Sequence, residues 1–200
     1  VTLDVYKEMI EVMDEGVGRI RQAVERAGLS DSTLILFFSD NGPSNPGSAG
    51  QLKGRKGQIW EGGHRVPAMA CWAGTIKAGR VSNATLMGAD LLPTIAAMAG
   101  ASLPENVEVD GVSLLPHLTQ AEPLAPRPLF WGFKKQLAVR KGYYKLVTTT
   151  DFSDPALYDL RKDISETRNI SEQHPELMQE LLALLKDWHR DVNKGVKSRT

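Results

Sequence analysis

Apolar residues recur at steps of three and four through Tyr6, Met9, Ile10, Met13, Val17, Ile20 and Val24, the stripe of an amphipathic helix. Gly28 sits where a helix C-cap belongs, and residues 30–32 (Ser-Asp-Ser) read as a short turn. The period then changes. Residues 34–38, Leu-Ile-Leu-Phe-Phe, form a continuous apolar run of strand length, which predicts a strand covered on both faces. Residues 66–72 predict a second buried strand, and 89–99 a helix with Pro93 in its first turns and Gly100 as its stop.

Pro-rich stretches at 103–116 and 121–128 read as connectors, and the pattern differs beyond them. Short strands are predicted at 129–133, 137–140, 143–148 and 157–160, with Lys141-Gly142 as a hairpin turn. A last helix begins near Pro175 and presents Leu177, Leu181, Leu184, Leu185 and Trp188 to a core. Helix followed by buried strand is the grammar of an α/β protein. The expected architecture is therefore an α/β part over 1–121, a mixed sheet flanked by helices. A small antiparallel-sheet subdomain with a terminal helix occupies 122–200.

Composition adds mainly exclusions. With 200 residues, 42% apolar and 24% charged, the chain has the make-up of a globular protein. Lys plus Arg equals Asp plus Glu at 24 each, so no global charge draws it to nucleic acid or an anionic membrane. No apolar run is long enough for a membrane span. The single cysteine, Cys71, excludes an internal disulfide framework and reads as a small buried hydrophobe in a strand.

Asp40-Asn41 follows the first predicted strand, where open α/β sheets gather their ligands. A carboxylate beside an amide offers hard oxygen donors suited to Ca²⁺ or Mg²⁺, and Gly42 lets the backbone turn away. By itself Asp-Asn-Gly reads first as a plain turn, which these residues favour. The next segment, 51–67, interleaves glycines with Lys53, Arg55, Lys56 and Arg65, a loop able to approach an anion closely. It is not a P-loop, since no Gly-Lys-Ser/Thr stands at the required spacing. His64 lies inside this loop and is a candidate to line a site. His117, His174 and His189 lack metal-ligand spacing and read as structural or solvated. Asn83-Ala84-Thr85 fits a glycosylation sequon.

Taken together, Ser39-Asp40-Asn41-Gly42, Lys56-Gly57 and Glu61-Gly62-Gly63-x-Arg65-Val66-Pro67 resemble the C-terminal signature of the sulfatases, in the alkaline-phosphatase-like superfamily. Asp90-Leu91-Leu92-Pro93-Thr94 is similar to the family's Asp-x-x-Pro-Thr helix. Leu157-Tyr158-Asp159-Leu160, with Glu166-Thr167-x-Asn169, is similar to its late strand and turn. The resemblance runs from about Tyr6 to about Val192. It implies sulfate ester hydrolysis by a parent protein, with Asp40 and Asn41 as two ligands of a divalent cation, usually Ca²⁺. Lys56 would contact the substrate sulfate and act in catalysis; Lys53 lies close by, but the Lys-Gly step selects Lys56. His64 is a substrate-side candidate from its place in the loop, since the family accepts many residues there.

The resemblance also implies a formylglycine made from Cys or Ser in Cys/Ser-x-Pro-Ser-Arg, and no such motif occurs here. The family's Asp-Asp metal pair, second lysine and two site histidines have no counterpart either. The expectation is a C-terminal part, inactive alone, whose partners are its missing N-terminal part, a second copy of itself, and a sulfated small molecule or saccharide. Family habit places such a protein in a periplasmic or extracellular compartment. Two alternatives remain open: a phosphodiester or phosphonate ester hydrolase of the same superfamily, and a non-catalytic interaction fragment.

Overall fold

The computed structural model describes residues 1–194, which divide into two compact units that do not follow chain order. One comprises Val1–Ile10, Phe38–Pro67 and the chain from Pro126 onward; the other comprises Glu11–Phe37 and Ala68–Ala125. The chain opens with helix α1 (Leu3–Arg26), followed by strand β1 (Ile35–Phe38), the single-turn helix α2 (Glu61–His64) and strand β2 (Ala68–Cys71). Helices α3 (Leu91–Met98) and α4 (Leu115–Gln120) come next. Strands β3 (Pro128–Phe133), β4 (Gln136–Lys141), β5 (Tyr144–Thr149) and β6 (Ala156–Asp159) precede the last helix, α5 (Pro175–Val192). No helix among the described residues is long and apolar enough to cross a membrane.

Strands β3 to β6 form an antiparallel sheet in chain order, with Pro128 opposite Lys141, Lys141 opposite Tyr144 and Tyr144 opposite Asp159. The expected hairpin turn is present, with Gly142 at φ 61°. Period-two alternation gives this sheet two covered faces. Leu137, Val139, Leu146 and Leu157 meet Leu181, Leu182 and Leu185 of α5, and Phe130 stacks on Trp188 with ring centroids 5.2 Å apart. On the opposite face, Ala138, Val147, Tyr158 and Leu160 pack with Ile59, flanked by Trp60 and Trp131. The glycine-rich loop is therefore the sheet's second covering layer.

In the other unit, the Asp-x-x-Pro-Thr segment is a structural knot. Buried Asp90 accepts the N–H groups of Met87 (2.8 Å) and Val112 (3.0 Å). Thr94 donates to the Asp90 carbonyl at 2.6 Å and accepts the Leu114 N–H at 2.8 Å. His117 is buried, with Nε2 2.9 Å from Ser82 Oγ and Nδ1 2.7 Å from the Glu122 carbonyl.

Three expectations are corrected. Strand β1 is only half-buried and Phe38 is exposed, because within the described residues β1 pairs with β2 alone. Strand β2 is largely exposed, and so is Cys71, which is not a core residue here. The stripe of α1 is also open: the helix buries no residue, and Met9 is 58% and Ile20 59% exposed. Helices α2 and α4 fell in segments read as loop and connector. Both are too short for a periodic signal.

Candidate functional site

Three segments that lie apart in sequence are stitched together by their backbones. Gly42 N–H donates to the Gly63 carbonyl (2.9 Å), Lys56 N–H to Pro43 O (3.1 Å) and Gly62 N–H to Lys53 O (2.7 Å). These approaches exclude side chains. A β-carbon on Gly42 would stand 1.8 Å from the Gly62 carbonyl oxygen, and one on Gly63 would stand 1.9 Å from that of Gln58. The glycines of Asp-Asn-Gly and Glu-Gly-Gly are thus needed for packing of main chain on main chain. The Asp40-Asn41 pair and the Lys56 loop belong to one local fold.

At the end of β1, Asn41 Nδ2 donates to Asp40 Oδ2 at 2.5 Å, and Ser39 Oγ donates to the Asn41 carbonyl at 2.8 Å. Among the described residues no bond is made to Asp40 Oδ1 or Asn41 Oδ1, so the pair offers two hard oxygens. That fits part of a Ca²⁺ or Mg²⁺ shell, which takes six or more oxygens. Among the described residues no group of three or more His, Cys, Asp or Glu is placed to hold a metal ion.

The basic side chains of the loop divide by what holds them. Lys53 lies 3.5 Å from the Trp60 ring centre and donates to the Glu166 carbonyl at 3.1 Å. Arg55 donates to Asn45 Oδ1 at 2.9 Å. Lys56 is exposed and, among the described residues, its ammonium has no partner. Of the three, Lys56 has the charge available for an anionic ligand.

Beneath the loop lies a buried ion cluster that the sequence patterning did not reveal. Lys145, on the loop face of β5, is 0% exposed, as are Glu61 and Glu166. Its Nζ donates to Glu61 Oε1 at 3.0 Å and lies 2.9 Å from Glu166 Oε1, an ion pair without an aligned hydrogen bond. Arg140 Nη1 donates to Glu61 Oε2 at 3.1 Å, and Arg65 approaches that oxygen to 3.6 Å. Glu166 Oε2 accepts the Glu61 N–H at 2.7 Å, so it caps α2 from across the fold.

Burial would raise the Glu61 carboxyl pKa, but the charges of Lys145, Arg140 and His64 outweigh it and hold the group below its ordinary value. For Glu166 burial prevails over the pull of Lys145, and its carboxyl is raised. His64 belongs to this cluster: Nε2 is 3.1 Å from both Lys145 Nζ and the Ile59 carbonyl, and the ring stacks on Trp131 at 4.3 Å. Burial, then the nearby Lys145 charge, lowers its pKa to about 4. A neutral ring satisfies one of its two Nε2 neighbours at a time. The structure thus places the His64 ring in the ion cluster beneath the loop. A lysine at an inward position of an otherwise apolar strand was the available signal for this cluster.

The sulfatase family model matches residues 2–101, and that of the N-sulphoglucosamine sulphohydrolase C-terminal region matches residues 55–193. The chain belongs to the sulfatase family. This sulfatase chain is 37% identical to human arylsulfatase A, over 90% of its own length and 43% of the human protein. It is 32% identical to mouse N-acetylgalactosamine-6-sulfatase, over 86% of the chain and 36% of that protein. Among solved structures it matches Ps i-CgsB in complex with k-i-k-neocarrahexaose, at 30% identity and a TM-score of 0.79, over 90% of this chain and 41% of that one. The sulfatase chain spans less than half the length of these relatives.

Proposed function

We propose that the parent protein of this chain hydrolyses sulfate esters, with Asp40 and Asn41 contributing two oxygens to a divalent cation and Lys56 binding the sulfate. The observation that carries the reading is the backbone stitching of the Asp40-Asn41 turn to the Lys56 loop, where Lys53, Arg55 and Arg65 are engaged and Lys56 has no partner among the described residues. Sulfate ester cleavage concentrates negative charge on the sulfate oxygens and the leaving oxygen. An ammonium fixed by a rigid loop stabilises that charge without reorganising. The bound cation would supply Lewis acidity, preferring Ca²⁺ with Mg²⁺ as an alternative. The nucleophile, a formylglycine in this reading, and the remaining ligands come from the rest of the parent, so this chain alone is inactive. His64 we assign to the frame that holds the loop. The boundary between 1–121 and 122–200 is kept as a proposal for the parent's organisation.

The name of N-acetylgalactosamine-6-sulfatase and the neocarrahexaose bound to Ps i-CgsB support a sulfated saccharide as substrate class. The test is turnover of a chromogenic aryl sulfate by the full-length parent, with formylglycine and bound Ca²⁺ confirmed. Sulfate release that falls at least about 100-fold in Lys56→Ala is the expected outcome. No release above background from the intact enzyme overturns the reading.

A further inference from the structure

Charge is unevenly placed in a chain whose net charge is zero. Residues 41–60 and 123–150 contain no Asp or Glu, while they hold three and six Lys or Arg respectively. Both segments lie almost wholly in one compact unit, where the loop covers the β3–β6 sheet. Several of these cations are occupied: Lys53 on Trp60, Arg140 and Lys145 in the buried cluster, and Lys141 on Glu180 at 2.6 Å. Lys56, Lys134 and Lys135 are exposed and have no anionic partner among the described residues.

The β3–β4 hairpin brings part of this group to the loop. Leu129, Trp131 and Phe133 alternate onto one face of β3, and Trp131 marks that face as the loop side by stacking on His64. Phe133 is the last of the row. Its ring edge lies over Gly57, where a β-carbon would stand 3.4 Å from the ring, and Gly57 directly follows Lys56. Yet Phe133 remains 44% exposed, so one part of the ring packs on the loop while another faces solvent. At the hairpin tip Lys134 adopts φ 54°, and its ammonium lies 5.5 Å from the Phe133 ring centre. An acidic turn after β5, carrying Asp151 and Asp154, is joined to the tip by the Thr150 N–H to Lys135 carbonyl bond (3.0 Å). There the Asp151 carboxylate is already occupied by Thr149 and Ser153.

A half-exposed aromatic ring packed on the loop that carries Lys56, with two exposed lysines at the next turn, is suited to one kind of ligand. A pyranose offers an apolar C–H face to the ring. Sulfates or carboxylates on that sugar or its neighbours suit the lysines, which bind anions as mobile point charges. We infer that Phe133, Lys134 and Lys135 form a second binding position beside Lys56, which takes the ring and additional anionic groups of a polyanionic saccharide. This rests on the proposed sulfatase reading and deepens it. Lys56 would hold the scissile sulfate, and the hairpin tip selects what bears it.

The test compares full-length wild type, Phe133→Ala, Phe133→Trp and Lys134→Ala/Lys135→Ala on two substrates: a small aryl sulfate and a hexasaccharide bearing a sulfate on each ring. Relative to the aryl sulfate, kcat/KM for the hexasaccharide falls at least tenfold in Phe133→Ala and in the double lysine variant, through KM. Phe133→Trp recovers most of the loss. In the double lysine variant the hexasaccharide KM becomes less sensitive to salt, because surface ammonium–anion attraction is the part that salt screens. Equal loss on both substrates, or no loss on the hexasaccharide, overturns the inference. Calorimetric binding of the same hexasaccharide is read independently of turnover. Weaker binding by both variants, in a protein that cleaves no sulfate ester, upholds the binding position while overturning the sulfatase reading.

Discussion

Glu166 accepts the main-chain N–H of Glu61 at 2.7 Å, joining the turn after the last strand to a helix 105 residues earlier in the chain. With Lys145 between the two carboxylates, this bond makes the antiparallel sheet the support of the glycine-rich loop. Removing Lys145 leaves buried Glu166 without a cation and Glu61 held only by Arg140 and Arg65. Lys145→Met is expected to lower the unfolding free energy of the parent protein by about 3–5 kcal/mol in urea titration. Glu166→Gln, whose amide oxygen still accepts from Glu61, costs less. A Lys145→Met loss below about 1 kcal/mol would contradict the clamp.

Acid should weaken the same cluster through His64. Its folded pKa of about 4 lies below the ordinary 6.5, so between these values the unfolded chain binds the proton more readily. Stability is then present above pH 6.5 and is lost as pH falls toward 4, by up to about 3 kcal/mol. Glu61, held low, keeps its contribution until still more acid conditions. Glu166, held high, acts in the opposite sense and gains on acidification. The decisive comparison is urea midpoints at pH 7 and pH 5: His64→Gln should lose markedly less than wild type.

Glycine substitutions should separate close packing from mere flexibility. Gly42→Ala and Gly63→Ala place a methyl group within 2 Å of carbonyl oxygens and should each abolish activity and lower Tm by more than 5 °C. Gly18→Ala, in α1 with nothing within 4 Å of the new carbon, should leave Tm unchanged or raise it. Differential scanning calorimetry of the three variants would check this.

The two neighbouring lysines predict different failures. Lys56→Ala should cut kcat/KM at least about 100-fold with little change in Tm, since the side chain supports no other group. Lys53→Ala removes the cation on Trp60 and the bond to the Glu166 carbonyl, and should lower Tm as well as activity. Equal Tm losses in the two variants would remove the distinction.

The open stripe of α1 and the exposed faces of β1 and β2 predict association. Apolar surface on this scale is unusual on an isolated monomer. The chain expressed alone should run as an oligomer in light scattering, and Met9→Lys with Ile20→Lys should shift it toward monomer. A monodisperse wild-type monomer would refute this.

Much of the architecture was legible in sequence, for identifiable reasons. The four late strands, their Gly142 turn and the Pro175 helix carried strong local signals: alternation, a left-handed glycine and a 3.6-residue stripe. β1, β2 and Cys71 are less buried than their apolar runs predict, because such a run records the environment it suits, and the described residues cover β1 only in part and leave most of β2 open. Motif order alone proposes Asp40, Asn41 and Lys56. It does not reveal the ion cluster, because its members stand at positions 61, 140, 145 and 166 and only the folded sheet brings them together. Lys145 illustrates the difficulty: in sequence it is one more basic residue beside a hairpin, and alternation alone turns it inward.

That long reach also sets a timetable. Glu61 waits for Lys145, 84 residues later, and for Glu166, 105 residues later. At about 5–20 residues per second of synthesis, the loop carrying Lys56 stays without its support for roughly 5 to 20 seconds. Contacts of such high sequence separation form late in folding. The loop carrying Lys56 is therefore among the later parts of this chain to take shape, and a chain truncated within β5 would emerge with its sheet begun and that loop still unset.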